Sequence, residues 1–345
     1  MLTMKRIAYP FAAAALALAP TVTAAATCDE ALAGLRSAFG GQSTSALLNA
    51  VDAVKSSGCT QATERVAMGQ ASAILAKFAQ AQVAADDLAG AEETLTHAPA
   101  LHWAVQAIRG DIAAKRGDRE EAAQMYSAAL DTITDPALTP PDKRLLPVAD
   151  RIARLAQENI MLSGSLSSTV TRGGQASGVL KSAMRGIQIE KAGAAPKVTP
   201  TVDPAYPSTD LYAGAAKETY TVADAVATSV GAVYLPIRFA FGSDQIDAAG
   251  AREAETVANF LLSNKVYRLT VVGHTDEVGS DAFNLDLSLR RAKTVKHFLQ
   301  TKGVHAEIHI DGKGEREPPN LVDYSVYSEE ERRKIARRVE LLLHE

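Results

Sequence analysis

Gly273-His274-Thr275-Asp276-Glu277-Val278-Gly279-Ser280-Asp281-Ala282-Phe283-Asn284-Leu285-Asp286-Leu287-Ser288-Leu289-Arg290-Arg291-Ala292-Lys293-Thr294-Val295-Lys296-His297-Phe298-Leu299 decides the fold of the last third of this chain. Before it, Tyr267-Arg-Leu269-Thr-Val271-Val-Gly273 has the alternation of a strand. After the polar loop, residues 285, 289, 292, 295 and 299 make one apolar stripe on a helix beginning near Asn284, and that stripe must face a sheet. Asn284, Leu287 and Arg291 lie on a different edge, one that can look back at the loop carrying Asp276. A carboxylate and a guanidinium on opposite sides of a shallow pocket suit a zwitterion, because each ligand charge finds its complement. Simple pairing of Asp276 with Arg291 would account for the same two residues, and the spacing alone leaves both readings open.

Working outward, Leu235-Pro-Ile237-Arg-Phe239-Ala-Phe241 alternates like an earlier strand, and 248–263 is amphipathic and helical. The stretch 273–295 closely resembles the signature of OmpA-like peptidoglycan-binding domains, G-H-T-D-x-x-G-S-x-x-x-N-x-x-L-S-x-x-R-A-x-x-V. Phe239-Ala-Phe241-Gly-Ser243-Asp-Gln-Ile246 resembles that family's first-strand motif and Arg337-Arg338-Val339-Glu340 its last strand. The resemblance covers residues 230–345 and implies a β-α-β-α-β arrangement of helices on a mixed sheet. It implies a ligand too, the diaminopimelate end of the peptidoglycan stem peptide: Asp276 takes the amine, Arg291 the carboxylate, Thr275 and Asn284 complete the polar shell, and Leu287 and Phe241 contact the aliphatic part. Departures occur at Gly242, where Asp is common in the family, at Ala336, where Asn is common, and in the acidic, tyrosine-containing loop 321–331.

Residues 27–162 are alanine-rich with apolar residues at helical spacing, and Gly58, Gly90, Gly117 and Pro136 read as turns. Within them, Gly110 and Ala122 are small where two antiparallel helices would cross, Gly117-Asp118 would turn the chain, and Tyr126, Ala129 and Leu130 would face the next helix. This stretch resembles a tetratricopeptide (TPR) repeat, with a weaker copy upstream at Ala91. The resemblance implies a groove for an envelope protein partner, while a plain helical bundle that spaces or oligomerises fits the same residues. Residues 163–229, with Gly173-Gly174 and Pro at 196, 200, 204 and 207, read as a linker; Ile187-Gln-Ile189 is a short candidate strand.

The first 26 residues have the order of a signal peptide: Lys5-Arg6, an apolar run over 7–19 too short to span a bilayer, then Ala24-Ala25-Ala26. A lipid anchor on Cys28 is disfavoured because Ala25 and Thr27 stand where a lipoprotein signal usually has Leu and a small residue. Cys28 and Cys59, the two cysteines of an exported chain, read as a disulfide. Closing a loop of about 30 residues contributes about 3–4 kcal/mol by the chain-entropy estimate. A net charge of -4 and a pI near 6.0 give no basic field for nucleic acid or anionic lipid, and no later segment is apolar for long enough to be a transmembrane helix.

His274 reads as a packing residue at a strand end, His305 and His309 lack the partners of a zinc site, and Gly312-Lys-Gly314 reads as a turn. No catalytic residue, metal site or cofactor is expected; a cell-wall hydrolase or its activator is the enzymatic alternative. The expected protein is a non-enzymatic periplasmic wall anchor near the outer membrane, with the lipid-anchored tether as a variant.

Overall fold

The computed structural model describes residues 26–41, 43–140, 142–168, 176–191, 232–240 and 242–344. The signal-peptide reading and Phe241 lie outside these residues, as do 169–175 and 192–229 of the expected linker.

Seven helices come first among the described residues: α1 (Cys28–Phe39), α2 (Thr44–Ser56), α3 (Gln61–Ala84), α4 (Leu88–Thr96), α5 (Trp103–Arg116), α6 (Arg119–Ile133) and α7 (Leu146–Ser163). Their boundaries are written in capping chemistry. Thr27, Ser43, Thr60, Asp87 and Asp118 each accept a hydrogen bond from a backbone N–H of the first turn. Cys28 and Cys59 form a disulfide, with Cα atoms 5.0 Å apart, that ties the start of α1 to the turn before α3. Gly117 has φ 82°, the left-handed conformation that ends α5 and begins the turn into α6.

The crossing of α5 and α6 shows why Gly110 is small: a Cβ there would lie 2.7 Å from the Tyr126 ring. Tyr126 packs its ring against Gly110 of α5, and its hydroxyl donates to Asp111. Gly90 is not a turn. It sits inside α4, where its N–H donates to Asp87 at 2.9 Å and a side chain would collide with that capping carboxylate.

Residues 178–191 form helix α8 (Gly178–Lys191), packed on α6 and α7 and on the sheet, so the candidate strand at 187–189 is helical. Val179, Leu180 and Ala183 bury one helical face, and the two-residue alternation of 187–189 is too short to compete with a helix already under way.

The C-terminal part runs β1 (Val233–Leu235), α9 (Ala248–Ser263), β2 (Arg268–His274), α10 (Asp281–Thr301), β3 (Glu307–Gly314), α11 (Glu329–Ala336) and β4 (Val339–His344). One helix and one strand are therefore added to the expected β-α-β-α-β order. The mixed sheet has the order β1-β4-β2-β3: β4 is antiparallel to both β1 and β2, and β2 is parallel to β3. The first strand ends earlier than the alternation of 235–241 suggests. Pro236 has no N–H to donate to a ladder, so pairing stops at Leu235, and Phe239 makes only an isolated bridge to Ile246.

A single apolar cluster runs from Ala76 in α3 through Ile108, Leu130 and Ile152 to Val233, Leu269 and Leu341 of the sheet. Polar groups reinforce the junction. Glu158, buried in α7, accepts from the backbone N–H of Val322 and from the Tyr327 hydroxyl, each at 2.6 Å, and Gln157 accepts from the Tyr234 N–H at 2.8 Å. The acidic loop 321–331 thus grips the helices together with Tyr234 of β1.

Candidate functional site

β2 and β3 carry glycines towards their C-terminal ends because α10 lies against their backbones. A Cβ on Gly273 would sit 2.1 Å from the Ser288 carbonyl oxygen, and one on Gly312 would sit 2.6 Å from the Leu289 nitrogen. Gly312-Lys-Gly314 is accordingly the end of a strand and not a turn. The same close approach rotates the helix from the expected stripe: Ser288 is fully buried against the glycines, and Leu289 is 44% exposed. Asn284, Leu287, Arg291, Ala292, Val295 and Leu299 fill the buried side.

Fixing α10 in this way places its polar edge beside the loop after β2. Asp276 Oδ1 accepts from the Val278 N–H at 3.2 Å, which shapes the loop. Asn284, 1% exposed, donates through Nδ2 to the Asp276 carbonyl at 3.3 Å and to Glu315 Oε2 at 2.6 Å. The Thr275 N–H donates to the Gly314 carbonyl, and its buried hydroxyl has no hydrogen-bond partner among the described residues.

Asp276 does not pair with Arg291. Its Oδ2 accepts from Arg337 Nη1 at 2.6 Å, and Arg337 also reaches Glu330 at 3.0 Å. Arg291 is 7% exposed, donates from Nε to the Ser243 carbonyl at 3.0 Å, and lies with its guanidinium 4.9 Å from the centre of the Phe239 ring. No carboxylate comes within ion-pair distance of it among the described residues. Burial pushes the Arg291 guanidinium below its ordinary value, partly offset by the charge on Asp276; an arginine keeps its proton all the same. A buried cation without a counter-ion is costly unless something supplies one.

A cavity of about 330 Å³ opens over this guanidinium. Pro236, Ile237, Arg238, Phe239 and Asp247 form one side, Glu330, Lys334 and Arg337 another, and Met161 of α7 reaches in from the helical region. Of the described residues expected to contact ligand, only Arg291 lines the cavity. Asp276 stands behind Arg337, while Thr275, Asn284 and Leu287 support the loop and the helix from within. Phe239 gives the cavity an apolar wall, whereas Leu287 is buried in the domain.

The sequence reading missed Arg337, which it took only as part of the closing strand, and the whole contribution of 328–337. The paired Arg337-Arg338 was the available signal. Arg338 is structural: it is buried, bonds Glu340 at 2.7 Å and lies over the Tyr234 ring. His274 is buried at the strand end with Nε2 3.4 Å from Glu340, an electrostatic contact without hydrogen-bond geometry.

Comparison with known proteins places this site in context. A family model described as the OmpA family matches residues 238–332. The peptidoglycan-associated lipoprotein of Pasteurella multocida (strain Pm70) is 33% identical over 105 residues, 30% of this chain and 70% of that protein. Outer membrane protein P5 of Haemophilus influenzae is 34% identical over 83 residues, and the match spans only 24% of its length. Among solved structures, the cell wall anchor of the T6SS from Pseudomonas aeruginosa is 26% identical, with 33% of this chain and 80% of that chain covered and a TM-score of 0.27.

Proposed function

The chain belongs to the OmpA family, and from that premise we propose that its C-terminal domain, residues 232–344, binds peptidoglycan without covalent attachment and so holds the helical region at the cell wall. The family and the peptidoglycan-associated relative support the ligand class. The observation that carries the reading is Arg291: buried, lining the cavity, and without a carboxylate at ion-pair distance among the described residues.

In this reading Arg291 receives the carboxylate of the diaminopimelate zwitterion in bidentate fashion. The neighbouring ammonium takes the place of the Arg337 guanidinium on Asp276, freeing Arg337 towards Glu330. Phe239 and Ile237 meet the aliphatic part of the side chain. Binding alone is proposed, with no bond broken.

The location follows from the ligand: the cell envelope, in the periplasmic space beside the wall. A disulfide is at home there. A thioether-linked lipid on Cys28 would need the same sulfur that the crosslink uses. We assign to the TPR-like α5–α6 hairpin and its neighbours the presentation of a surface to an envelope protein partner.

Co-sedimentation with purified sacculi tests the proposal. Arg291→Ala should weaken binding roughly a hundredfold, since it leaves the ligand carboxylate unpaired in a desolvated pocket. Arg291→Lys should restore part of the loss, keeping charge without the fork. Sedimentation of the alanine variant at the wild-type level would refute the assignment.

A further inference from the structure

The cavity charges do not balance. Arg238, Arg291, Lys334 and Arg337 line it. Arg238 has Asp247 at 3.7 Å, and Arg337 has Asp276 and Glu330. Arg291 and Lys334 have no carboxylate at ion-pair distance among the described residues. Glu331, on the same turn as Lys334, is engaged by Arg119.

Lys334 is held in place from outside its own domain. Its ammonium donates to the Leu162 carbonyl at 2.6 Å, one of the carbonyls that the last turn of α7 leaves without an intrahelical partner. Met161, next to it, lines the cavity, and both pack with Tyr327 and Ile335. One of three ammonium donors is thereby used and two remain. Desolvation, with Arg238 and Arg337 close by, pushes the Lys334 ammonium below its ordinary value, as expected of a cation waiting for an anion.

Diaminopimelate has two amines and two carboxylates. Within a stem peptide one amine is acylated. A residue that ends its stem therefore presents one ammonium and two carboxylates, and a stem that continues past it has converted one of those carboxylates to an amide. The site offers one recessed acid, Asp276, and two uncompensated cations, Arg291 and Lys334. We infer that Lys334 is a second carboxylate receptor, that it reads the free terminal carboxylate of a stem ending at diaminopimelate, and that α7 of the helical region sets its position.

This inference rests on the peptidoglycan reading above and deepens it. The test uses the full chain and two soluble stem peptides, one ending in diaminopimelate as the free acid and one with that terminal carboxyl as the amide, titrated calorimetrically. The wild type should prefer the acid by about 3–10-fold, the range of one partly exposed charge-assisted contact. Lys334→Met should abolish the preference by weakening the acid alone, and Lys334→Arg should keep it. Circular dichroism melts identify any variant that has lost its fold. Equal affinity of the wild type for both peptides, or an equal loss for both in Lys334→Met, overturns the inference while leaving the parent reading intact. Undiminished binding of both peptides by Arg291→Ala overturns the parent reading, and failure of the wild type to bind either peptide overturns both.

Discussion

The helical region is built around two apolar cores that differ in how they are closed. Ala31, Leu35, Leu47, Val51 and Val54 of α1 and α2 pack on Ala67 to Leu75 in the first half of α3, and this small cluster is shut by the Cys28–Cys59 crosslink. The second half of α3, from Ala76, belongs to the other core, which continues through α4–α8 into the sheet. A cluster of so few residues buries too little to offset its ordering entropy and takes a covalent staple. The larger core has the C-terminal domain as its second layer. The difference teaches that the boundary between helices and sheet is not the energetic one: α4–α8 should unfold with the C-terminal domain, and α1–α2 should unfold separately.

The severest way to break this picture is Gly273→Ala. The added methyl would meet a backbone oxygen, which cannot rotate aside, so α10 must lift from the sheet at a cost of about 4 kcal/mol or more. Trp103, the single tryptophan, lies in α5 and is buried in the shared core. The denaturant midpoint of its fluorescence should therefore fall as far as that of ligand binding. A tryptophan transition unmoved by this change would mean that helices and sheet are independent.

Removing the staple should have a smaller and more local effect. Cys28→Ala with Cys59→Ala should destabilise α1–α2 by about 3 kcal/mol, seen as faster hydrogen exchange at Leu35, Leu47 and Val51. The Trp103 midpoint should hold within error. A parallel drop in both would show one cooperative unit instead of two.

How much of this could be read beforehand depended on whether local chemistry or remote contact decided the outcome. Helix α9 has the expected limits because Asp247 caps it and its apolar stripe is self-consistent. The signature around 273–295 locates Asp276 and Arg291 but not their pairing, because Arg337, the partner of Asp276, arrives from 61 residues further along, at the C-cap of α11. Leu289 was placed inside on helical spacing; backbone glycines on two strands chose Ser288 instead. The junction was hidden for a related reason. Glu158 is a carboxylate buried in the middle of α7, and only the loop 321–327 supplies its donors, the Val322 N–H and the Tyr327 hydroxyl, while Gln157 beside it takes its donor from Tyr234 in β1.

Two buried titrating groups sharpen the comparison least in size but most in sign. His102 caps α5 by accepting the Ala104 N–H on Nδ1, and burial lowers its pKa from 6.5 to about 4. The unfolded chain binds this proton first, so the stability of the helical side is complete above about pH 6.5 and is lost as pH falls towards 4. The loss between pH 7 and pH 5 should be about 2 kcal/mol. Glu158 lies at the junction and burial raises its pKa above 4.5 despite the Tyr327 and Val322 donors. Here the folded chain holds the proton more tightly, so the junction is most stable below about pH 4.5 and weakens as pH rises through the folded value. His102→Asn keeps a capping acceptor that does not titrate and should flatten the Trp103 midpoint between pH 7 and 5. The wild type should gain on Glu158→Gln over the same descent, so the two variants move the pH profile in opposite directions. Profiles that shifted the same way would place both groups in one electrostatic environment and remove the distinction between the helical core and its junction with the sheet.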